Sequence, residues 1–495
     1  MKSCWRRAGL VPIAGLPNAE RGCIDDGTDA PPTVTLCFPP GLGLCRCPSP
    51  ILLRNSFLSL SLAVMTLSCP PSEGSSPLPT PLFSAPSTPE TERDYDCFDL
   101  ALAALPPVNA AAQYILVTGG LGYIGSHTAL ELLKTGYNVL LVDNLSNSYR
   151  EVFERILQAA KQHYEREGGP CPQAELACMD YRDTPAMRAL LAAHTTQDPD
   201  STPRSNITGV IHFAAYKEVH DSLRNPLKYY QNNISGLVDF VALLDQHHIK
   251  TFIFSSSANV YGTQSATHPT LREEHCVHRP ETYCAPDGQL MAVEQGCTGI
   301  TNPYGRTKFF GEAILSDLAA SDPSWTILGL RYFNPVGCDA SGLLAEDPRG
   351  TPSNLVPVVV KVLTGELLEL SIYGDDWTTP DGTAIRDFIH VSDVARGHIA
   401  ALTAAQEGRV VESFRTFNLG TGCGHSVAEV VAAMETVSQR AIPRRTAGRR
   451  PGDVESCVAI ADRAAVELGW KAERSLQDAC HDLWRHLRDG KAGGL

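Results

Sequence analysis

Positive charge is what this chain is short of. Lysine and arginine number 41 against 55 aspartates and glutamates, a formal net charge of -14 at pH 7. Gripping a phosphate backbone demands a concentrated basic face, so nucleic acid is not expected as a partner. Long apolar runs are missing too. No stretch approaches the roughly 20 residues that cross a bilayer, and no membrane association is expected. The nearest, Phe57 to Cys69, is interrupted by Ser59, Ser61 and Thr66. The 16 cysteines include no Cys-x-x-Cys pair and no Cys/His grouping at zinc-ligand spacing. No metal site is therefore expected, and the thiols read as free in a reducing compartment, the cytoplasm.

The chain is long enough for two modest domains or one large one with an appendage. Of its 35 prolines, 17 fall in the first 110 residues. Proline fixes φ and lacks a backbone donor, so residues 1–110 are expected to form a disordered extension. From Tyr114 onward, apolar runs alternate with helical patterns. Strands are predicted at Tyr114 to Thr118, Val139 to Val142, Glu175 to Cys178, Val210 to Phe213, Phe252 to Phe254 and Ile327 to Tyr332. Each gap can hold a helix, which predicts an α/β fold with a doubly wound parallel sheet, a Rossmann domain over 111–335. A smaller, interleaved α/β domain is expected over 336–490, with a segment near 384–400 returning to the first.

The first strand runs into Gly119, Gly120, Gly122 and Gly125, a G-x-x-G-x-x-G turn that opens a helix. Glycines there allow a tight turn, close approach to a pyrophosphate and packing of helix on strand. Asp143 ends the second strand, 18 residues past Gly125. A carboxylate at that point accepts hydrogen bonds from ribose hydroxyls and repels a 2'-phosphate, so NAD is the expected cofactor. A second glycine cluster, Gly420 to Gly424, has no such acid and reads as a structural loop.

Of fifteen tyrosines, only Tyr304 has a lysine four residues later, Lys308. Positions i and i+4 share a helix face, so the ammonium is expected near the phenol, favouring phenolate and equipping Tyr304 to take a hydroxyl proton. Ser257 closes the run Ser255-Ser256-Ser257 at a strand end, where a hydroxyl could bridge substrate and phenol.

These motifs, with His212-Phe213-Ala214-Ala215-Tyr216-Lys217, Asn302 to Lys308, Arg331 to Gly337 and Arg386 to Val391, resemble the extended short-chain dehydrogenase/reductase family, and within it the UDP-glucose 4-epimerases. The resemblance spans Tyr114 to about Arg488. It implies Tyr304 as general base, Lys308 as the residue lowering its pKa and holding the nicotinamide ribose, and Ser257 on the sugar 4-hydroxyl. It implies NAD contacts at Gly119, Gly122, Tyr123, Ile124, Gly125, Asp143, Asn144, Leu145, Ser146, Asn147, Ser148, Asp180, Tyr181, Phe213, Ala214, Ala215, Lys217, Asn232 and Phe333, with Ser257, Tyr304 and Lys308 shared. For the UDP-hexose it implies Asn334, Asn354, Leu355, Ser371, Ile372, Tyr373, Arg386, Arg450, Asp453 and Cys457, with Lys217, Ser257 and Tyr304. The expected partner beyond the substrate is a second copy, a homodimer.

Two rivals share this pattern. A nucleotide-sugar 4,6-dehydratase needs an acid pair after the strand-end residue, where Ala258 and Asn259 stand here. A non-catalytic NAD-binding regulator would be free to lose Tyr304, Lys308 or Ser257, yet all are present. Cys457 falls where the resembled family varies between tyrosine and a small residue, so room for an N-acetyl group is expected. Replacing Cys457 by tyrosine should abolish turnover of UDP-N-acetylglucosamine and spare UDP-glucose; equal losses on both in parallel assays would refute this.

Overall fold

A computed structural model describes residues 112–196, 204–284, 288–296, 299–350 and 352–492. The Pro/Ser-rich stretch 1–110 and Cys297 lie outside the described residues. Strand β1 (Tyr114–Thr118) is buried at every position, which suits the middle of a parallel sheet covered on both faces. It leads into α1 (Tyr123–Lys134), then β2 (Asn138–Asp143), α2 (Glu151–Glu167), β3 (Ala174–Cys178) and α3 (Thr184–Ala193). A short pair, β4 (Thr195–Thr196) and β5 (Arg204–Ser205), precedes β6 (Ile207–His212). Helices α4 (Val219–Arg224), α5 (Pro226–Tyr230) and α6 (Gly236–Gln246) lead to β7 (Thr251–Ser257). After a hairpin, β8 (Glu281–Cys284) and β9 (Leu290–Val293), come α7 (Pro303–Ser321) and β10 (Thr326–Tyr332).

The remaining elements are β11 (Asn334–Val336), α8 (Leu355–Thr364), β12 (Leu370–Tyr373), β13 (Ile385–His390), α9 (Val391–Gln406) and β14 (Phe414–Leu419). They are followed by β15 (Gly424–Ser426), α10 (Val427–Ser438), β16 (Arg444–Ala447), β17 (Ser456–Cys457) and α11 (Leu476–Ala492).

Seven strands form one parallel sheet in the order β14-β10-β7-β6-β1-β2-β3. The chain winds outward from β1 to β3, then crosses back to β6, so a crevice opens between the carboxyl ends of β1 and β6. Leu130, Leu133, Ala401 and Leu402 fill the core on one face of the sheet. Leu190, Phe240, Leu244, Leu315 and Trp325 fill the other, which makes the sheet doubly wound. The smaller lobe has a sheet ordered β11-β13-β15 with β17 on β13, and a β12-β16 pair. Val359, Leu363, Val431, Met434 and Leu483 form its core.

The segment near 384–400 is divided between the two lobes. Strand β13 stays in the smaller sheet, while α9 packs on the large one and β14 pairs with β10 at its edge. Arg415, Thr416 and Asn418 interrupt the apolar residues of β14 and disguise it as a loop.

Beside this edge lies a buried ion pair. Arg331 on β10 donates Nε and Nη2 to the two carboxylate oxygens of Glu312 on α7, at 2.9 and 2.7 Å, both residues being fully buried. The remaining guanidinium donors reach Tyr261 Oη at 3.1 Å and the Cys276 carbonyl at 2.7 Å. His278 Nε2 lies 2.7 Å from Glu312 Oε2, and Ser256 Oγ also meets this carboxylate. Burial opposes charge on Glu312, but Arg331 prevails and holds its carboxyl far below the ordinary 4.5. The pair's contribution is thus complete above about pH 4.5 and is withdrawn only as the pH falls well beneath it. Glu312→Ala leaves Arg331 buried without a counter-charge and should cost about 3–5 kcal/mol in urea unfolding at pH 7; a loss under about 1 kcal/mol would show the pair to be dispensable.

Candidate functional site

The glycine turn after β1 is shaped by close approach. Gly119 has φ of +69°, and a Cβ there would lie 2.8 Å from the Ala214 backbone nitrogen. At Gly125 a Cβ would meet the Gly119 carbonyl oxygen at 2.2 Å. No side chain caps α1, whose N-cap is Gly122, so the first-turn N–H groups around Tyr123 and Ile124 face the crevice as an anion seat. Asp143 sits across from the turn. Its carboxylate accepts from the Leu121 N–H at 2.9 Å, the Leu145 N–H at 2.9 Å and Ser148 Oγ at 2.7 Å. These bonds fold the loop Asn144 to Ser148 inward, with Leu145 at φ of 58° and the Ser146 N–H on Asn144 Oδ1. Asn144 Nδ2 donates to Asp180 at 3.0 Å. Burial opposes the charge on Asp180, but the Arg182 guanidinium wins and holds its pKa below the ordinary value. Tyr181 donates its hydroxyl to the buried Asn232 carbonyl. Phe213, Ala214 and Ala215 follow β6 at the crevice, and Lys217 Nζ rests 2.9 Å from Glu346.

Helix α7 begins where the sequence supplies a cap and a starter. Asn302 Oδ1 accepts the Gly305 N–H at 2.7 Å and Pro303 takes the first position, so Tyr304 occupies the first turn. Lys308, one turn on, donates to the Ser255 carbonyl at 2.5 Å and to Ser255 Oγ at 3.1 Å. Its Nζ lies 5.9 Å from the Tyr304 ring centroid. Ser257 Oγ accepts from the Asn259 N–H at 3.2 Å and Nδ2 at 3.1 Å.

Burial pushes the Tyr304 phenol up to about 12, with Ser257 pulling it back. Burial likewise depresses Lys308 to about 7, opposed by Glu312. Burial thus opposes the charged form of each group.

Across the crevice lies the smaller lobe. Phe333 is buried against Tyr261, and Asn334 opens β11. Arg386 on β13 is paired in register with Cys457 on β17. Burial depresses the Arg386 pKa, and the Arg450 charge adds to this, so two guanidinium groups share one neighbourhood. Arg450 is held by Asp453 at 3.1 Å and stacks 4.6 Å over the Tyr373 ring. Such a pair suits a diphosphate. Ser371, Ile372 and Tyr373 form β12, Ile372 pointing into the lobe's core, while Asn354 and Leu355 begin α8.

A dinucleotide fits this crevice. The glycine cradle admits no side chain, and the buried Tyr332 hydroxyl, beside Ser257 on the neighbouring strand, has no hydrogen-bond partner among the described residues. Residues 115–420 match the NAD dependent epimerase/dehydratase family. The chain belongs to that family. It is 43% identical over 371 residues to a UDP-glucose 4-epimerase of Dictyostelium discoideum, covering 75% of this chain and 94% of that one. It is 41% identical to the mouse UDP-glucose 4-epimerase, over 77% and 98% of the two chains. A crystal structure of UDP-glucose 4-epimerase from Bifidobacterium longum, in complex with NAD+ and UDP, superimposes with a TM-score of 0.62 at 40% identity, covering 77% of this chain and all of that one.

Two features of this crevice escaped the sequence reading. Tyr332 has a signal, its place at the carboxyl end of a strand directly before Phe333 and Asn334. The segment carrying Glu346 and Arg349 has none, because its contacts lie with residues 129 and 201 positions away. The grouping of Cys276, His278 and Glu312 brings potential ligand atoms within 4.8 Å of one another, but its carboxylate is already committed to Arg331.

Proposed function

We propose that the chain interconverts UDP-glucose and UDP-galactose through a 4-keto sugar, with NAD tightly bound. The observation that carries this is the placement of Tyr304, Lys308 and Ser257 at the carboxyl edge of the sheet, with the Gly119 turn on one side and Arg386 and Arg450 on the other. The relatives named UDP-glucose 4-epimerase align over nearly their whole length, which supports the same reading.

NAD, when bound, supplies a reversible hydride acceptor at the sugar's C4. The protein supplies the rest. Tyr304 Oη takes the 4-hydroxyl proton, and the Ser257 hydroxyl bridges the two oxygens. Lys308 carries the compensating charge, since the phenolate is costly in so buried a place. Arg386 and Arg450 hold the diphosphate so that the hexose can turn over without leaving; its opposite face is then the one that regains hydride at C4, while Tyr304 returns the proton to the 4-oxygen. A 4,6-dehydratase is disfavoured because Asn259, bonded to Ser257 and Asn302, stands where that chemistry needs an acid. Cys457 lies against the cluster holding Tyr261 and Phe333, and its small side chain supports turnover of UDP-N-acetylhexoses as well.

A cytoplasmic setting is supported by the unbridged thiols of Cys171, Cys338, Cys423 and Cys480. No described helix is long and apolar enough to cross a membrane. A homodimer is supported by exposed apolar side chains on α4 to α7, namely Leu223, Leu227, Val238 and Phe310. Light scattering should give twice the 53.4 kDa chain mass, and a mass of one chain at micromolar concentration would refute pairing.

The purified chain, given UDP-galactose and no added NAD, should form UDP-glucose detectable by chromatography. Tyr304→Phe should lower kcat by about 10²–10⁴-fold while the protein stays folded and NAD-loaded. No product even with NAD supplied, and no difference between the two proteins, would leave the regulator as the correct reading.

A further inference from the structure

The segment after β11, residues 337–350, runs back along the nucleotide-binding edge. The Gly337 carbonyl accepts the Tyr123 hydroxyl at 2.7 Å. The Asp339 N–H donates to His127 Nε2 at 3.0 Å, and its carboxylate pairs with Lys134 at 2.9 Å. Leu344 is buried in the core beneath. Further on, the Arg349 N–H donates to Asn147 Oδ1 at 3.1 Å and its Nε to the Ser148 carbonyl at 2.7 Å. Its guanidinium lies 4.4 Å over the Tyr149 ring. Between these attachments stands Glu346. One carboxylate oxygen, Oε1, accepts from Lys217 Nζ at 2.9 Å and from Asn354 Nδ2 at 3.4 Å. The Glu346 side chain is only 14% exposed, against 46% for Lys217.

We infer that Glu346 is a positioning residue that holds Lys217 and Asn354 in register, tying the seat of the dinucleotide to the seat of the sugar nucleotide. This rests on the epimerase reading of the site. A lysine ammonium rides on a flexible four-carbon stem, and a largely covered carboxylate restricts it far more than water does. Both donors share one oxygen, so a displacement of Asn354 is felt at Lys217. Arg349 meanwhile fastens the same segment to the loop that Asp143 folds over the ribose side. Glu346 touches neither Tyr304 nor Ser257, so its loss should loosen both seats and leave proton transfer alone.

The test compares Glu346→Ala and Glu346→Gln in the full chain, alone and combined with Lys217→Met. Three quantities are read: dinucleotide retained through dialysis, measured after acid release; KM and kcat for UDP-galactose; and thermal melting. Glu346→Ala should raise KM about tenfold, change kcat less than about twofold and shed dinucleotide on dialysis. Glu346→Gln keeps a neutral acceptor for both donors and should raise KM only about threefold. In the Lys217→Met background, Glu346→Ala should add less than about twofold to dinucleotide loss, because that effect acts through the missing ammonium, while its effect on KM persists in part through Asn354. Dinucleotide losses that multiply in the double variant, or unchanged KM and retention in Glu346→Ala, would overturn the inference. If even the unaltered chain fails to convert UDP-galactose, the epimerase reading has failed. Dinucleotide retention then decides the role of Glu346, and equal retention in wild type and Glu346→Ala overturns it.

Discussion

A charge buried away from water must be met by another, and the geometry around the reacting groups depends on how Arg331 meets this demand. Its guanidinium is fully enclosed, and only a carboxylate brought in by α7 neutralises it. Glu312 therefore fixes the height and rotation of α7 against β10. Lys308 and Tyr304 stand one and two turns earlier on the same face, so their placement follows from the same constraint. The other donors of Arg331 hold the carbonyls of Glu273 and Cys276, extending the arrangement into the segment that leads to the β8-β9 hairpin. Swapping such a pair for apolar residues can leave stability unchanged. Its value here is geometric.

The phenol and the ammonium sit above this pair in surroundings that favour neither charge. Desolvation raises the phenol to about 12 and depresses the ammonium to about 7, so burial works against the charged form of each. The form of Tyr304 that can accept a proton is the phenolate, so the cost that burial places on it must be met by a neighbouring positive charge.

Much of this was legible in the residues because it rests on short-range spacing. The glycine turn, Asp143 at a strand end, Tyr304 and Lys308 one helical turn apart, and the alternation of apolar runs with helical patterns each declare themselves over short stretches of chain. What was hidden depends on distant contacts. The burial that raises the Tyr304 pKa is reported by no local motif. Strand β14 is a strand because β10 offers it an edge, with Ile327 to Tyr332 pairing Phe414 to Leu419. The segment around Glu346 gains its meaning only from groups far away in the chain, Lys217 on the carboxylate and the Ser148 carbonyl held by Arg349.

The late position of β14 shapes how the chain is made. Strand β10 ends at Tyr332 and its outer partner begins only at Phe414, with much of the smaller lobe between them. Until residue 414 leaves the ribosome, β10 presents an unpaired apolar edge of the kind that recruits strands from other chains. The two lobes are consequently products of a single maturation event, and a nascent chain is most vulnerable to self-association during the interval in which the smaller lobe is being translated.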